Sequence, residues 1–416
     1  IALMLYMRNL AGVVTPILCA TVAGLWGFGF IGLLELPIEP LLMIVPLLLV
    51  ARSFSHCVQY TERYYEILLE LKDRRKAAEV TMGIMMAPSI LGILTDFCGI
   101  VFIAIAPVKA MDNHAIFCGM WALWIIPTGT FLCSIILSYL PAPANIKDIV
   151  GKDKIQSGIH YHQERSLKFL ASFSQGERAK KTGILVIVLG LIAIYLNTQI
   201  KIGNPVEGSN LLHYESDFNT AVRAINAHFP GTNTLEIVLE SKTDDIDRRV
   251  ANTAAVVAVQ QQLQRKLEAD TELPPRATLS FSDYMSEINR LFSGGNPKWL
   301  PLDPTDEAIG AAGFAALLGS NAINFGHVAD FEFQNSTVSF WYKDNIQETV
   351  DHALAAAREA VTEVGVDHDE FTVRLGTGVI ALQQAMNNSV EKYHWIIIGM
   401  VNVAVLILAT FAYGSI

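Results

Sequence analysis

The sequence predicts an α-helical membrane bundle joined to an α+β soluble domain with split βαβ (ferredoxin-like) units. Three observations predict it. Apolar stretches of membrane length follow one another up to residue 199, a long polar segment (200–392) interrupts them once, and another apolar stretch begins near residue 394. A chain of 416 residues that is 52% hydrophobic does not fit a single soluble domain. It opens and closes inside apolar runs, at Ile1 and Ile416, which reads as the middle of a longer protein.

A helix needs about 20 apolar residues to cross a hydrocarbon core. Residues 1–7 read as the tail of one span, ended by Arg8-Asn9. Further spans are predicted over 11–34, 39–60, 82–106, 114–140 and 183–199, and the last starts near 394. The segment 61–79 carries Arg63, Lys72, Arg74, Arg75 and Lys76, and 141–182 is also rich in bases, from Lys147 to Lys181, whereas 35–40 has none. By the positive-inside rule the two basic segments are cytoplasmic, and 35–40, 107–113 and 200–392 lie on the other side. Alternating the spans gives the same orientation. Ile149–Phe173 reads as a helix along the membrane surface. His160 and His162, with no third ligand nearby, read as part of that solvated helix.

The polar segment 200–392 holds 27 acidic and 14 basic residues, a net −13, against +3 for the rest. That balance excludes nucleic acid as a partner, because phosphate binding needs clustered basic charge. The five cysteines, Cys19, Cys57, Cys98, Cys118 and Cys133, all fall in apolar segments. There they read as small hydrophobes and offer neither a disulfide framework nor a CxxC metal site. Strands are predicted at Thr234–Glu240, Thr337–Tyr342 and Phe371–Leu375, and helices at Ala251–Ala269, Asp283–Phe292, Asn345–Val364 and Gly376–Tyr393, the last running into the next span. This rhythm suits split βαβ units. Residues 293–326, rich in Gly, Pro and Ala, read as an insertion or loop.

Polar residues inside the spans are the candidate site. Arg52, Ser55, His56 and Gln59 follow i, i+3, i+4, i+7 and share one helical face, and Ser89, Gly92, Asp96 and Gly99 share a face of the next span. At ~1.5 Å per residue, Arg52 lies roughly 18 Å from Pro40 and Asp96 roughly 15 Å from Ala106, so the two can meet near mid-membrane. Charges there cost at least about 2.5–3.5 kcal/mol each on insertion scales unless paired or hydrated. Two readings stay open: a proton relay, or a static ion pair fastening two helices. Gly24, Gly27, Gly29 and Gly32 lie inside a span and read as small-residue packing, not as a phosphate loop. Neither a nucleophile-and-base motif nor G-x-x-x-x-G-K-[ST] is present, so no enzyme activity and no cofactor are expected.

Several of these stretches resemble one family. "MRNLAGVVTPILCATVAGLWGFGFIGLLELPIEPLLMIVPLLL", "VQYTERYYEILLELKDRRKAAEV", "ILTDFCGI" and "IKIGNPVEGSNLLHYESDFNTAVRAINAHFPGTNTLEIVLE" are similar to the resistance-nodulation-division (RND) superfamily, in its MMPL-like and sterol-sensing-domain-like branches. The resemblance implies a proton-driven exporter of hydrophobic or lipid-like cargo, sterol- or hopanoid-like lipids included. It also implies a bacterial inner membrane setting, contact with membrane lipids, a trimer or dimer, and periplasmic partner proteins. It implies that residues 1–140 hold the end of the second span and spans three to six, 141–182 a cytoplasmic linker helix, and 183–199 the seventh span. On the same register 200–392 is a periplasmic porter domain and 393–416 the truncated eighth span. The family's fourth span carries an Asp-Tyr relay pair where this chain has Ser55-His56, and Asp96 is the acid available to replace it. The alternative is a non-transporting lipid-sensing or scaffold protein.

Overall fold

The computed structural model describes residues 2–38, 40–150, 159–319 and 325–414, with the side chains of 2, 5, 40–46, 148, 159–164, 319 and 413 left aside. It divides into two compact units, residues 1–200 with 389–416, and residues 201–388.

Five helices among the described residues are long and apolar enough to cross a membrane: Leu10–Leu33, Arg74–Ile105, Lys109–Tyr139, Gly176–Asn197 and Val379–Ala412, the last belonging to the first unit from Ser389 onward. The stretch expected to span at 39–60 is also helical, within Pro40–Leu71. Asn9 caps the first of these helices by accepting from the Gly12 N–H at 2.6 Å, and Asp73 caps another by accepting from Arg75 and Lys76. Each cap satisfies backbone donors that a helix start leaves open.

The segment 61–79 is not a connecting loop. The helix from Pro40 continues to Leu71 and the next begins at Arg74, with Lys72 at φ 55° making the break. The cause is burial: Tyr60, Tyr64, Tyr65, Ile67 and Leu68 pack into the interior with Met7, Ala77 and Leu137. The Tyr64 hydroxyl donates to the Leu137 carbonyl at 2.9 Å and that of Tyr65 to Asn9 at 3.0 Å. The surface helix expected over 149–173 is described as Ile146–Val150 and Ile159–Ala171. Residues 151–158, and the side chains of His160 and His162, lie outside the described residues. Of the glycines in the first complete span, Gly24 and Gly27 rest against the Trp121 ring, while Gly29 and Gly32 meet nothing within 4 Å. Trp121 is fully buried, so small-residue packing holds for the first two only.

The second unit is built on four strands, β1 (Asn233–Ser241), β2 (Ala277–Ser280), β3 (Ser336–Tyr342) and β4 (Phe371–Thr377). Their order is β2-β3-β1-β4, and every neighbouring pair is antiparallel. Leu235, Ile237 and Leu239 alternate inward from β1, as a strand with one buried face must. They pack with Leu263 and Leu267 of helix Ala254–Glu268 and with Val350, Leu354 and Ala357 of helix Gln347–Val364.

Residues 293–326 are not simply a loop. They include helix Asp306–Gly319, whose Ile309, Ala312 and Ala316 pack on Phe281, Met285, Phe325 and Phe333. Ala312 and Ala316 are small enough to lie against those side chains, and Gly313 leaves room for the Asn252 amide. Residues 320–324 lie outside the description.

Asp270 follows helix Ala254–Glu268 and joins it to the rest of the unit. Its carboxylate accepts from the N–H groups of Glu272 at 2.9 Å and Leu273 at 3.2 Å, and lies 2.7 Å from His352 Nε2. Burial pushes its pKa up, but these donors outweigh burial and hold it below the ordinary value of 3.8. A depressed carboxylate stabilises the fold above its unfolded pKa, and that contribution is lost as pH falls through the lower folded value. Residues 201–388 expressed alone should therefore melt cooperatively, with Asp270→Asn melting at lower temperature at pH 7. The gap should close as pH falls below 3.8. A gap independent of pH, or no cooperative melt, would refute this account.

Candidate functional site

The helix Pro40–Leu71 carries two stripes around its middle. Ser53, Cys57, Tyr60 and Tyr64 recur at helical spacing and are almost completely buried. Arg52, Ser55 and Gln59 lie on an exposed stripe, and His56 sits between the two, half-buried. In this membrane unit the buried stripe faces neighbouring helices, while charge and amide occupy the open one.

Arg52 and Asp96 meet, a contact that the depth estimate allowed. The Arg52 Nε donates to Asp96 Oδ2 at 2.8 Å, and both side chains keep open surface, 49% and 29%. The approach depends on Gly92, one turn before Asp96: a Cβ there would stand 3.2 Å from Arg52 Nη2. Ser89, one turn earlier again, is buried with its hydroxyl unpartnered among the described residues.

The other candidates are not drawn into that pair. The His56 Nε2 lies 3.4 Å from Thr130 Oγ1 on the span Lys109–Tyr139. Among the described residues, neither Ser55 nor Gln59 is hydrogen-bonded to the ion pair. One helix thus reaches two partners, with Arg52 directed to the span that begins at Arg74 and His56 to the one that begins at Lys109.

Sequence reasoning missed Thr130 and its setting. Residues Ile126–Phe131 form a π-helical turn, in which Thr128, Gly129 and Thr130 are buried. Such turns are rare and concentrate at functional sites. The available signal was Pro127 inside a span, followed by Thr128-Gly129-Thr130, because a proline that cannot donate disturbs the helical ladder.

Two apolar grooves accompany the polar site. In the second unit a groove of about 520 Å³ is lined by Leu211, Phe218, Val222, Leu382 and Met386. A cluster of amides borders it, with Gln383 Nε2 donating to the Asn345 carbonyl at 3.1 Å and Asn387 Nδ2 to Gln347 at 2.7 Å. In the first unit Leu25, Phe28, Val50, Phe54 and Trp121 line a groove of about 570 Å³.

No family model and no curated protein matches the chain. Solved structures do match its fold. The hedgehog release protein Disp from the water bear Hypsibius dujardini, determined by cryo-EM, is similar to it at TM-score 0.55 and 11% identity, over 98% of this chain and 54% of that one. The chain therefore spans about half the length of that protein. At this identity the likeness shows the fold alone, and among the described residues that fold includes five helices long and apolar enough to cross a membrane.

The geometry predicts energetic coupling through Arg52. Gly92→Ala and Asp96→Asn both disturb the guanidinium, so their effects on stability should be non-additive by about 0.5–3 kcal/mol. Gly183→Ala, where a Cβ meets nothing within 4 Å, should combine additively with Asp96→Asn. Melting of the single and double variants in detergent checks this, and additivity in both pairs would contradict the contact.

Proposed function

We propose that the chain belongs to a proton-motive-force-driven exporter in a bacterial inner membrane, of the MMPL-like or sterol-sensing-domain-like kind. Its cargo is hydrophobic or lipid-like, a class that includes sterol- and hopanoid-like lipids. The observation that carries this reading is the Arg52–Asp96 ion pair at 2.8 Å between the helix Pro40–Leu71 and the apolar helix that begins at Arg74. A charged pair placed where charge is costly marks an ion or proton pathway more often than a fastening. The carboxylate takes up or releases a proton as its distance to the guanidinium changes, and that change moves one helix against the other.

The remaining features support the same reading. The groove lined by Leu211, Phe218, Leu382 and Met386 suits an apolar molecule with a polar group for the amides beside it. The strand order β2-β3-β1-β4 with antiparallel neighbours supports a porter domain of the split βαβ kind for 200–392, on the periplasmic side. A structural relative named for release of a cargo supports export. A non-transporting lipid sensor is the second reading, favoured by one observation: His56 is bonded to Thr130 and not to Asp96, as a static pair would allow.

Asp96→Asn separates the two. It keeps shape and hydrogen bonding but cannot ionise. In a relay the variant is stable and inactive, with lipid reaching the outer membrane falling to background by mass spectrometry. In a static pair it strands Arg52, which costs about 2.5–3.5 kcal/mol at mid-membrane. The protein then melts earlier, and whatever survives exports normally. That second pattern would end the relay.

A further inference from the structure

Three of the five cysteines converge from three separate helices. Cys19 comes from Leu10–Leu33, Cys57 from Pro40–Leu71 and Cys133 from Leu132–Tyr139, and their sulfurs all lie within 4.8 Å of one another. All three are fully buried. Cys118 is also buried, but packs among Ile31, Leu49, Phe117 and Trp121.

Buried cysteine ordinarily serves as a small hydrophobe, and packing alone explains Cys118. The surroundings of the trio are different. The Cys57 thiol lies 3.6 Å from the Gly129 carbonyl, and Thr61 Oγ1 lies 4.0 Å from Cys133 Sγ. Thr15 and Ser53 stand one turn before Cys19 and Cys57, on the same helical faces. Both are fully buried. A dry interior that gathers three sulfurs, sets the Ser53 side chain beside the Cys57 thiol and leaves the Thr15 hydroxyl unpaired among the described residues is built for more than volume. The π-helical turn Ile126–Phe131 brings in the Gly129 carbonyl and leads directly to Cys133.

We propose that Cys19, Cys57 and Cys133 form a copper(I) site inside the membrane unit. Sulfur ligands without carboxylate or imidazole select soft ions. With metal–sulfur bonds of about 2.3 Å, the sulfurs of a trigonal site stand about 4 Å apart. The triangle in the structure therefore closes by a contraction of under about 1 Å, within reach of side-chain rotation. Zinc needs a fourth ligand, whereas copper(I) is satisfied by two or three sulfurs. Each cysteine binds as thiolate, so loading releases one proton for every sulfur bound. The bound ion ties three helices together at the residue following His56.

The test uses the intact protein, purified in detergent without oxygen and titrated with copper(I) held by bicinchoninate. The wild type should withdraw one copper per chain and melt at a higher temperature when loaded. Cys57→Ser and Cys133→Ser should leave the copper with the chelator, while Cys98→Ala with Cys118→Ala should retain it. Melting of each variant without copper shows whether it has folded. If the serine variants do not fold, the wild-type titration and the Cys98/Cys118 control decide the matter. The proposal is overturned if the wild type leaves copper with the chelator, if the serine variants keep it, if the control loses it, or if zinc is taken up in preference.

Discussion

A guanidinium and a carboxylate placed among apolar helices must find each other, and the organisation of the membrane unit follows from that constraint. Neither Arg52 nor Asp96 is tolerable alone in hydrocarbon, so the 2.8 Å contact between them fixes how the helix Pro40–Leu71 is rotated against the helix that begins at Arg74. Gly92 makes the approach possible. Once Arg52 is set, the buried stripe of Ser53, Cys57, Tyr60 and Tyr64 must face the other helices, and His56 reaches Thr130. Polar site, thiol cluster and tyrosine core are three consequences of one helix rotation.

The second unit obeys ordinary soluble-domain physics. Alternating strands bury one face under two amphipathic helices, and a second cluster around Phe281 and Phe333 extends the core. The helix Val379–Tyr413 contributes residues 379–388 to this unit and the rest to the first. Its soluble end lines the groove through Leu382 and Met386, while Gln383 holds Asn345. The same helix therefore meets a candidate cargo surface and continues as a candidate span.

Much of this was legible in the sequence because it rests on periodicity. The apolar runs gave the spans, short stretches rich in β-branched and aromatic residues gave β1, β3 and β4, and helical spacing placed Arg52, Ser55, His56 and Gln59 on one face. Depth arithmetic brought Asp96 to Arg52. What could not be read depends on contacts between distant segments. Helix Asp306–Gly319 resembled a loop because its packed positions include the small residues Ala312, Gly313 and Ala316 in a stretch rich in Gly and Pro. Strand β2 is four residues long, too short for alternation to show. The two helices around Lys72 merged into a single basic segment, since charge pattern says nothing about burial of Tyr64 and Tyr65. The gathering of Cys19, Cys57 and Cys133 is invisible to spacing along the chain, because each sits alone in its own helix.

The central claim is that the Arg52–Asp96 pair carries protons and does more than fasten two helices. Proteoliposomes of polar bacterial lipids containing the intact protein and a trapped pH-sensitive dye test it directly. An imposed pH gradient should decay faster than in empty vesicles, and replacing Asp96 with asparagine should return the decay to the empty-vesicle rate while the protein stays folded. Equal decay with aspartate and with asparagine would contradict the account.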